Sequence, residues 1–170
     1  MEAALLSVTL ILGILALVFL FLFPIGRGAA WVPSTPAKAV MMAVLAGAAP
    51  GRRVADLGSG DGRVLIALAR RGAEAHGYEV NPLLVVASRM AIRRAGLSGQ
   101  ARVHWKSFWR ADLSPFDAVT LFQGSFVMRK LERKVRRELR PGARVVSDYW
   151  AFPALQPQSR RGTLYCYVVQ

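Results

Sequence analysis

Asp56-Leu57-Gly58-Ser59-Gly60-Asp61-Gly62-Arg63 follows a short apolar run, Val54-Ala55, and precedes an alanine-rich apolar segment from Val64 to Ala69. That order reads as strand, tight glycine loop, helix. Glycines at 58, 60 and 62 leave the loop without bulk and permit positive φ. A ligand can then approach the backbone closely, with the N–H groups of the following helix aimed at it. Two acids, Asp56 and Asp61, are interleaved with the glycines. Carboxylates repel phosphates, so the loop does not suit a phosphate cradle. It suits a ligand with positive charge, such as the ammonium and sulfonium of S-adenosylmethionine.

Outward from the loop the chain alternates strands and helices. Ala37 to Ala48 has Val40, Val44, Leu45 and Ala48 on one face at helical spacing, behind Pro36. Arg53 to Leu57 is the first strand and Arg63 to Arg71 the helix after the loop, stopped by Gly72. Ala73 to Val80 is the second strand. Asn81-Pro82 opens a helix from Leu83 to about Ala95. Ala101 to Trp105 and Asp117 to Phe122 are the third and fourth strands, with Ser107 to Pro115 a loop between them. A helix over Val127 to Leu139 and a fifth strand over Ala143 to Ser147 follow. Past that point only one strand is clearly legible, Thr163 to Val169. The alternation implies a mostly parallel, doubly wound α/β sheet with helices on both faces.

Glu79 falls at the carboxyl end of the second strand, where open α/β sheets bind ligands. An acid there accepts hydrogen bonds from ribose hydroxyls, which dinucleotide and S-adenosylmethionine binders share. The loop separates them: a dinucleotide loop reads G-x-G-x-x-G, whereas Gly58-x-Gly60-x-Gly62 carries acids between the glycines. S-adenosyl-L-methionine is therefore the expected cofactor, on Asp56, Gly58, Ser59, Gly60, Asp61, Gly62, Glu79 and Asn81.

The chain has 170 residues, enough for one domain, with 54% of them hydrophobic. A single cysteine, Cys166, excludes an internal disulfide framework and a cysteine-based zinc site. With only His76 and His104 besides, no bound metal is expected. Lys and Arg number 23 against 10 Asp and Glu, a net charge of +13. Such a surface favours nucleic acid or an anionic membrane face.

The N-terminus favours the membrane. Ala3 to Phe23 carries no charge or proline and, as a helix, is about 30 Å long, one bilayer core. It lacks the basic start and shorter apolar core of a cleaved signal peptide. Every Lys and Arg lies after it, from Arg27 onward, which puts the rest of the chain on the cytoplasmic side. The expected organisation is a single-pass transmembrane anchor over 1–26, a linker and lead-in helix over 27–50, and the ligand-binding domain over 51–170. The alternative for 3–23 is a buried core helix.

Several motifs come in one order: Trp31-Val32-Pro33-Ser34, the glycine loop, Gly77-Tyr78-Glu79-Val80-Asn81-Pro82, Asp112-Leu113-Ser114, Leu131-Glu132-Arg133-Lys134, Ala143-Arg144-Val145-Val146 and Phe152-Pro153. From Trp31 to about Pro157 the chain resembles the membrane-anchored class I protein-lysine methyltransferases. Animal members of that family methylate the adenine nucleotide translocase and the c-subunit of ATP synthase. The resemblance implies a Rossmann-like methyltransferase fold and a lysine of a membrane protein as acceptor. Ser107 stands where the family carries an acid facing the adenine amino group. Ala154 and Leu155 replace an aromatic after Phe152-Pro153, and Gly162-Thr163 stands near a further family acid.

A lysine acceptor is protonated at neutral pH, with a pKa of about 10.4, so its site must supply the neutral amine. Gln123, Asp148 and Tyr149, with Trp150, fall at the carboxyl ends of the fourth and fifth strands. Gln123 could orient the amine, Asp148 take the proton or attract the ammonium, and the two aromatics wall the alkyl chain. The alternative is edge packing and a turn. The helix from Val127 to Leu139 has Leu131, Val135 and Leu139 on its core stripe and basic residues elsewhere: either a solvated face or an anionic-lipid contact. Nucleic acid is disfavoured there, since aromatics are not interleaved. Methylation of RNA or of a small molecule, and a cofactor-binding module without turnover, are the rival functions.

Overall fold

The computed structural model describes residues 5–14 and 33–170. The expected anchor and linker lie outside the described residues except for 5–14, which are helical, and 33–50, which hold the lead-in helix. Among the described residues no helix is long and apolar enough to cross a membrane.

The elements of the domain run α1 (Pro36–Leu45), β1 (Arg53–Leu57), α2 (Arg63–Arg70), β2 (Glu74–Glu79), α3 (Pro82–Arg94), β3 (Ala101–Trp105), β4 (Ala118–Leu121), α4 (Ser125–Glu138), β5 (Arg144–Asp148), β6 (Ser159–Arg161) and β7 (Leu164–Val168). The strands form one seven-stranded sheet in the order β3-β2-β1-β4-β5-β7-β6. β1 to β5 are parallel, and β7 is antiparallel to both β5 and β6. Reversal of the strand order between β1 and β4 opens a crevice at their carboxyl ends.

β6 corrects the expectation of a single strand after the fifth. Its three residues, Ser159, Arg160 and Arg161, are all exposed on the sheet edge. They bury no apolar face, so they carry no alternation to read. The loop between β3 and β4 also contains a 3₁₀ turn, Phe108–Arg110, capped by Ser107.

Two apolar layers cover the sheet. On one face Met42 and Ala43 of α1, Leu65 and Leu68 of α2, and Val85 and Ile92 of α3 pack on Val54, Val103 and Val146. On the other, Met128, Leu131 and Val135 of α4 pack on Leu57, Val119, Leu121 and Tyr167. The lead-in helix α1 is thus part of the domain's core. Thr35 caps it by accepting from the Lys38 N–H at 3.2 Å, with Pro36 in its first turn.

Candidate functional site

The glycine loop joins β1 to α2. Gly58, Gly60 and Gly62 have φ of +82°, +54° and +83°, values at which a side chain is strained. Space is short as well. A Cβ on Gly58 would lie 2.3 Å from Gln123 Nε2, and one on Gly62 would lie 2.2 Å from Ser88 Oγ. The sequence reading missed a third close approach: a Cβ on Gly77 in β2 would meet Leu65 and Ser59 at 2.5 Å.

Glu79, 7% exposed, organises the loop from the end of β2. One carboxylate oxygen accepts from the Gly60 N–H at 3.0 Å, the other from Val80 and Asn81 N–H at 2.8 Å each. These bonds use three of the roughly four lone-pair positions of a carboxylate. One acceptor position is left, which suits one ribose hydroxyl; the expected clasp on both would displace a backbone donor. Asn81 caps α3, accepting from the Leu83 N–H at 3.0 Å.

Asp56 is 4% exposed. Its partner across the β1–β4 register, Thr120, donates a hydroxyl hydrogen bond of 2.7 Å. Burial pushes its pKa up to about 7; Thr120 opposes the rise, and Glu79 and Asp61 add to it. Burial pushes Asp61 upward too, but the hydrogen bonds and charge of Arg63 outweigh that and hold its carboxyl below its ordinary value. Arg63 also donates to the Ser34 carbonyl, which clamps the segment before α1 to the glycine loop.

The remaining expected residues fall into two groups. Gln123, 3% exposed, donates from Nε2 to the Leu57 carbonyl at 2.7 Å and braces the ends of β1 and β4 beneath Gly58. Ser107 accepts from the Trp109 N–H at 3.4 Å, one residue beyond Lys106, whose N–H bonds the Glu79 carbonyl. Asp148, 1% exposed, is paired with Lys38 of α1 at 3.0 Å and accepts from the Thr163 hydroxyl at 2.6 Å. Neither partner was legible in sequence. Tyr149 and Trp150, 57% and 40% exposed, meet edge to face at 5.2 Å. Tyr149 has φ of +72°, held by its N–H bond to the Thr163 carbonyl at 2.8 Å. Strain of about 1–3 kcal/mol fixed in this way is common at ligand sites. Among the described residues no group of three or more His, Cys, Asp or Glu is placed to hold a metal.

The arrangement fits a cationic nucleoside: glycines with no room for side chains, one acceptor position on Glu79, and two acids, Asp56 and Asp61, beside the loop. The cation nearest to hand for a dinucleotide phosphate is Arg63, which Asp61 already holds.

The ANTKMT methyltransferase domain matches residues 56–159. The mouse lysine N-methyltransferase of the ATP synthase c-subunit is 40% identical over 107 residues, 63% of this chain and 43% of the relative. The mouse adenine nucleotide translocase lysine N-methyltransferase is 43% identical over 109 residues, 64% and 47% of the two chains. The chain thus spans about half the length of these animal relatives. A protein-lysine N-methyltransferase of Saccharolobus islandicus is 32% identical over 150 residues, 82% of this chain and 92% of the relative. Among solved structures, an RNA methyltransferase of Salinibacter ruber in complex with S-adenosyl-L-homocysteine superposes with a TM-score of 0.79 at 31% identity. It covers 81% of this chain and 94% of its own. With the domain match running from the first acid of the glycine loop to the start of β6, the chain belongs to the ANTKMT methyltransferase-domain family.

Proposed function

We propose that the chain is an S-adenosylmethionine-dependent methyltransferase that modifies a lysine side chain of a membrane-associated protein. The observation that carries this reading is the acid-bearing glycine loop clasped by Glu79, in a chain similar to lysine methyltransferases along nearly the whole archaeal relative. Residues 3–23 anchor it in a membrane, with the domain on the cytoplasmic side.

When bound, the cofactor supplies an electrophilic methyl on a sulfonium. Gly58 to Gly62 would hold it by backbone, Glu79 would accept from a ribose hydroxyl, and Ser107 would accept from the adenine amino group. Asp56 and Asp61 supply negative charge. Gln123 orients the acceptor nitrogen, and Tyr149 and Trp150 line its path and bind the ammonium by their faces. Asp148 attracts the ammonium or takes its proton, and Lys38 holds that position until the acceptor arrives.

Two outcomes follow from these roles. A cationic ligand favours the Asp56 carboxylate, so at pH below about 7 binding releases a proton. Cofactor affinity should rise with pH, by up to about tenfold per unit below pH 7, and level off above it. Calorimetry from pH 5.5 to 8.5 checks this, and Asp56→Asn should flatten the profile. In the ligand-free protein the raised pKa has the opposite sign for stability. The contribution is full below the unfolded carboxyl value near 4 and is lost as pH rises through about 7. The second outcome concerns Lys38, which competes with the acceptor for Asp148. Lys38→Met should lower the acceptor KM severalfold with kcat retained. A raised KM with a lower Tm would make Asp148 an anchor for α1 instead.

Tritiated S-adenosylmethionine with the purified protein and its own membranes tests the function. A labelled protein band, with methyl-lysine found by mass spectrometry, is the expected result. The similarity to the Salinibacter RNA methyltransferase and the net charge of +13 favour RNA methylation as a second reading. Label confined to RNA would select it. Binding without label in any fraction would leave a non-catalytic module.

A further inference from the structure

We propose that the outer face of α4 docks on anionic lipid headgroups, with a basic recess between Trp109 and the helix at its centre. The proposal rests on reading residues 3–23 as a membrane segment, and not on methyl transfer.

The helix has two faces. Val127, Met128, Leu131 and Val135 are buried against the sheet, while Arg129, Lys130, Arg133, Arg136 and Arg137 are exposed. The acids of α4 neutralise little of that face: only Arg137 on it has a carboxylate partner on the helix. Glu132 is 4% exposed and accepts from the Ala154 N–H at 3.1 Å. Glu138 is held by Lys134 and Arg137, each at 2.6 Å. Trp109, Lys130, Arg133, Lys134 and Arg137 line a recess of about 260 Å³. Lys134 forms its floor, with its ammonium committed to Glu138 and the Ala111 carbonyl. Lys130 lies over the Trp109 ring at 4.5 Å. Among the described residues Lys130 and Arg133 have no carboxylate partner. Glu138 offsets one of the four charges at the recess and leaves Lys130 and Arg133 facing it without a carboxylate, and a phosphate accepts from both Lys and Arg donors.

RNA offers the same phosphates, but two features favour a bilayer. Phe126, at the start of α4, is 65% exposed and offers an apolar wedge at the end of the basic face. In the helical residues 5–14, Leu5, Leu6, Val8, Leu10, Ile11, Leu12 and Ile14 are all more than half exposed, so the domain does not cover them. The chain from 24 to 35 reaches at most about 40 Å, which keeps the domain close to whatever medium holds that segment. Docked through α4, whose first residue follows Gln123-Gly124, the candidate site lies at headgroup level.

Footprinting of the full chain on vesicles tests this. Vesicles of phosphatidylcholine alone are compared with vesicles containing about 30 mol% phosphatidylserine, a density at which each nearby base adds appreciably to binding. Acylation of lysines is read by mass spectrometry. Labelling of Lys130 should fall at least about threefold on the anionic vesicles while exposed Lys106, at the end of β3, is unchanged. Protection should vanish at about 0.5 M salt and in Arg133→Glu. If the chain floats with both vesicles and only the anionic ones protect Lys130, the same surface is supported. Equal labelling of Lys130 on both vesicles, failure to float with either, or protection by a single-stranded RNA and not by phosphatidylserine would each overturn the proposal. The readout needs neither cofactor nor turnover, so loss of the methyl-transfer reading would leave it standing.

Discussion

Glu79→Ala is expected to lower cofactor affinity by at least about two orders of magnitude, on the scale of a lost charge-assisted hydrogen bond together with a disordered loop. Glu79 accepts from the Gly60 N–H and joins the loop to the N–H groups of Val80 and Asn81. Alanine leaves three donors beside a crevice, each costing about 1–3 kcal/mol where water cannot replace the carboxylate. Water will reach some of them, since Glu79 keeps 7% exposure, so a stability loss of about 2–4 kcal/mol is expected. Glu79→Gln keeps one oxygen acceptor but turns an amide donor on the remaining N–H groups, and should fall between wild type and alanine. Calorimetry with S-adenosylmethionine and denaturant unfolding read the two effects. Unchanged affinity in Glu79→Ala would remove Glu79 from the site.

Gly62→Ala should cost at least about 3 kcal/mol of stability, from two separable causes. At φ of +83° any side chain carries about 1–2 kcal/mol of strain. The new Cβ would also lie 2.2 Å from Ser88 Oγ and 3.1 Å from Ser88 Cβ. Rotating the hydroxyl relieves the first contact and not the second. Ser88 is fully buried on α3, so α3 must shift and the loop with it. Gly51→Ala is the control: its φ is +78° with nothing within 4 Å of the new Cβ, so it should show the strain alone. Pairing Gly62→Ala with Ser88→Gly should return the steric part. Equal losses for Gly62→Ala and Gly51→Ala would refute the clash.

The parallel core of the sheet was legible because its strands are short apolar or alternating stretches set between helical segments and Gly or Pro turns. The bounds of β1 and β3 agree with the reading from sequence, the other strands read there differ by one residue at each end, and the helix ends differ by up to three. β6 was not legible, because an exposed three-residue edge strand has no apolar signal. In the site, the glycine loop and Glu79 were legible because their chemistry is local: positive φ selects glycine, and an acid at a strand end faces the crevice. Pairs made by register and by helix docking were not. Lys38 and Asp148 are separated by 110 positions, and nothing near either residue announces the other. Thr120 meets Asp56 only because β4 pairs with β1 in that register. Arg63 was read as the end of a motif, whereas it joins Asp61 to the Ser34 carbonyl.

That last contact has a mechanical consequence. Ser34 lies just before α1, so tension applied from the N-terminal side first loads its hydrogen bond to the Arg63 guanidinium. Part of the load passes through Arg63 to Asp61 and the glycine loop, and the rest through α1 to the sheet by its core contacts and the Lys38–Asp148 pair. In a single-molecule pull from the N-terminus, the Ser34–Arg63 hydrogen bond should therefore be the first to rupture, and a ligand that orders the loop should raise the force at which it does so.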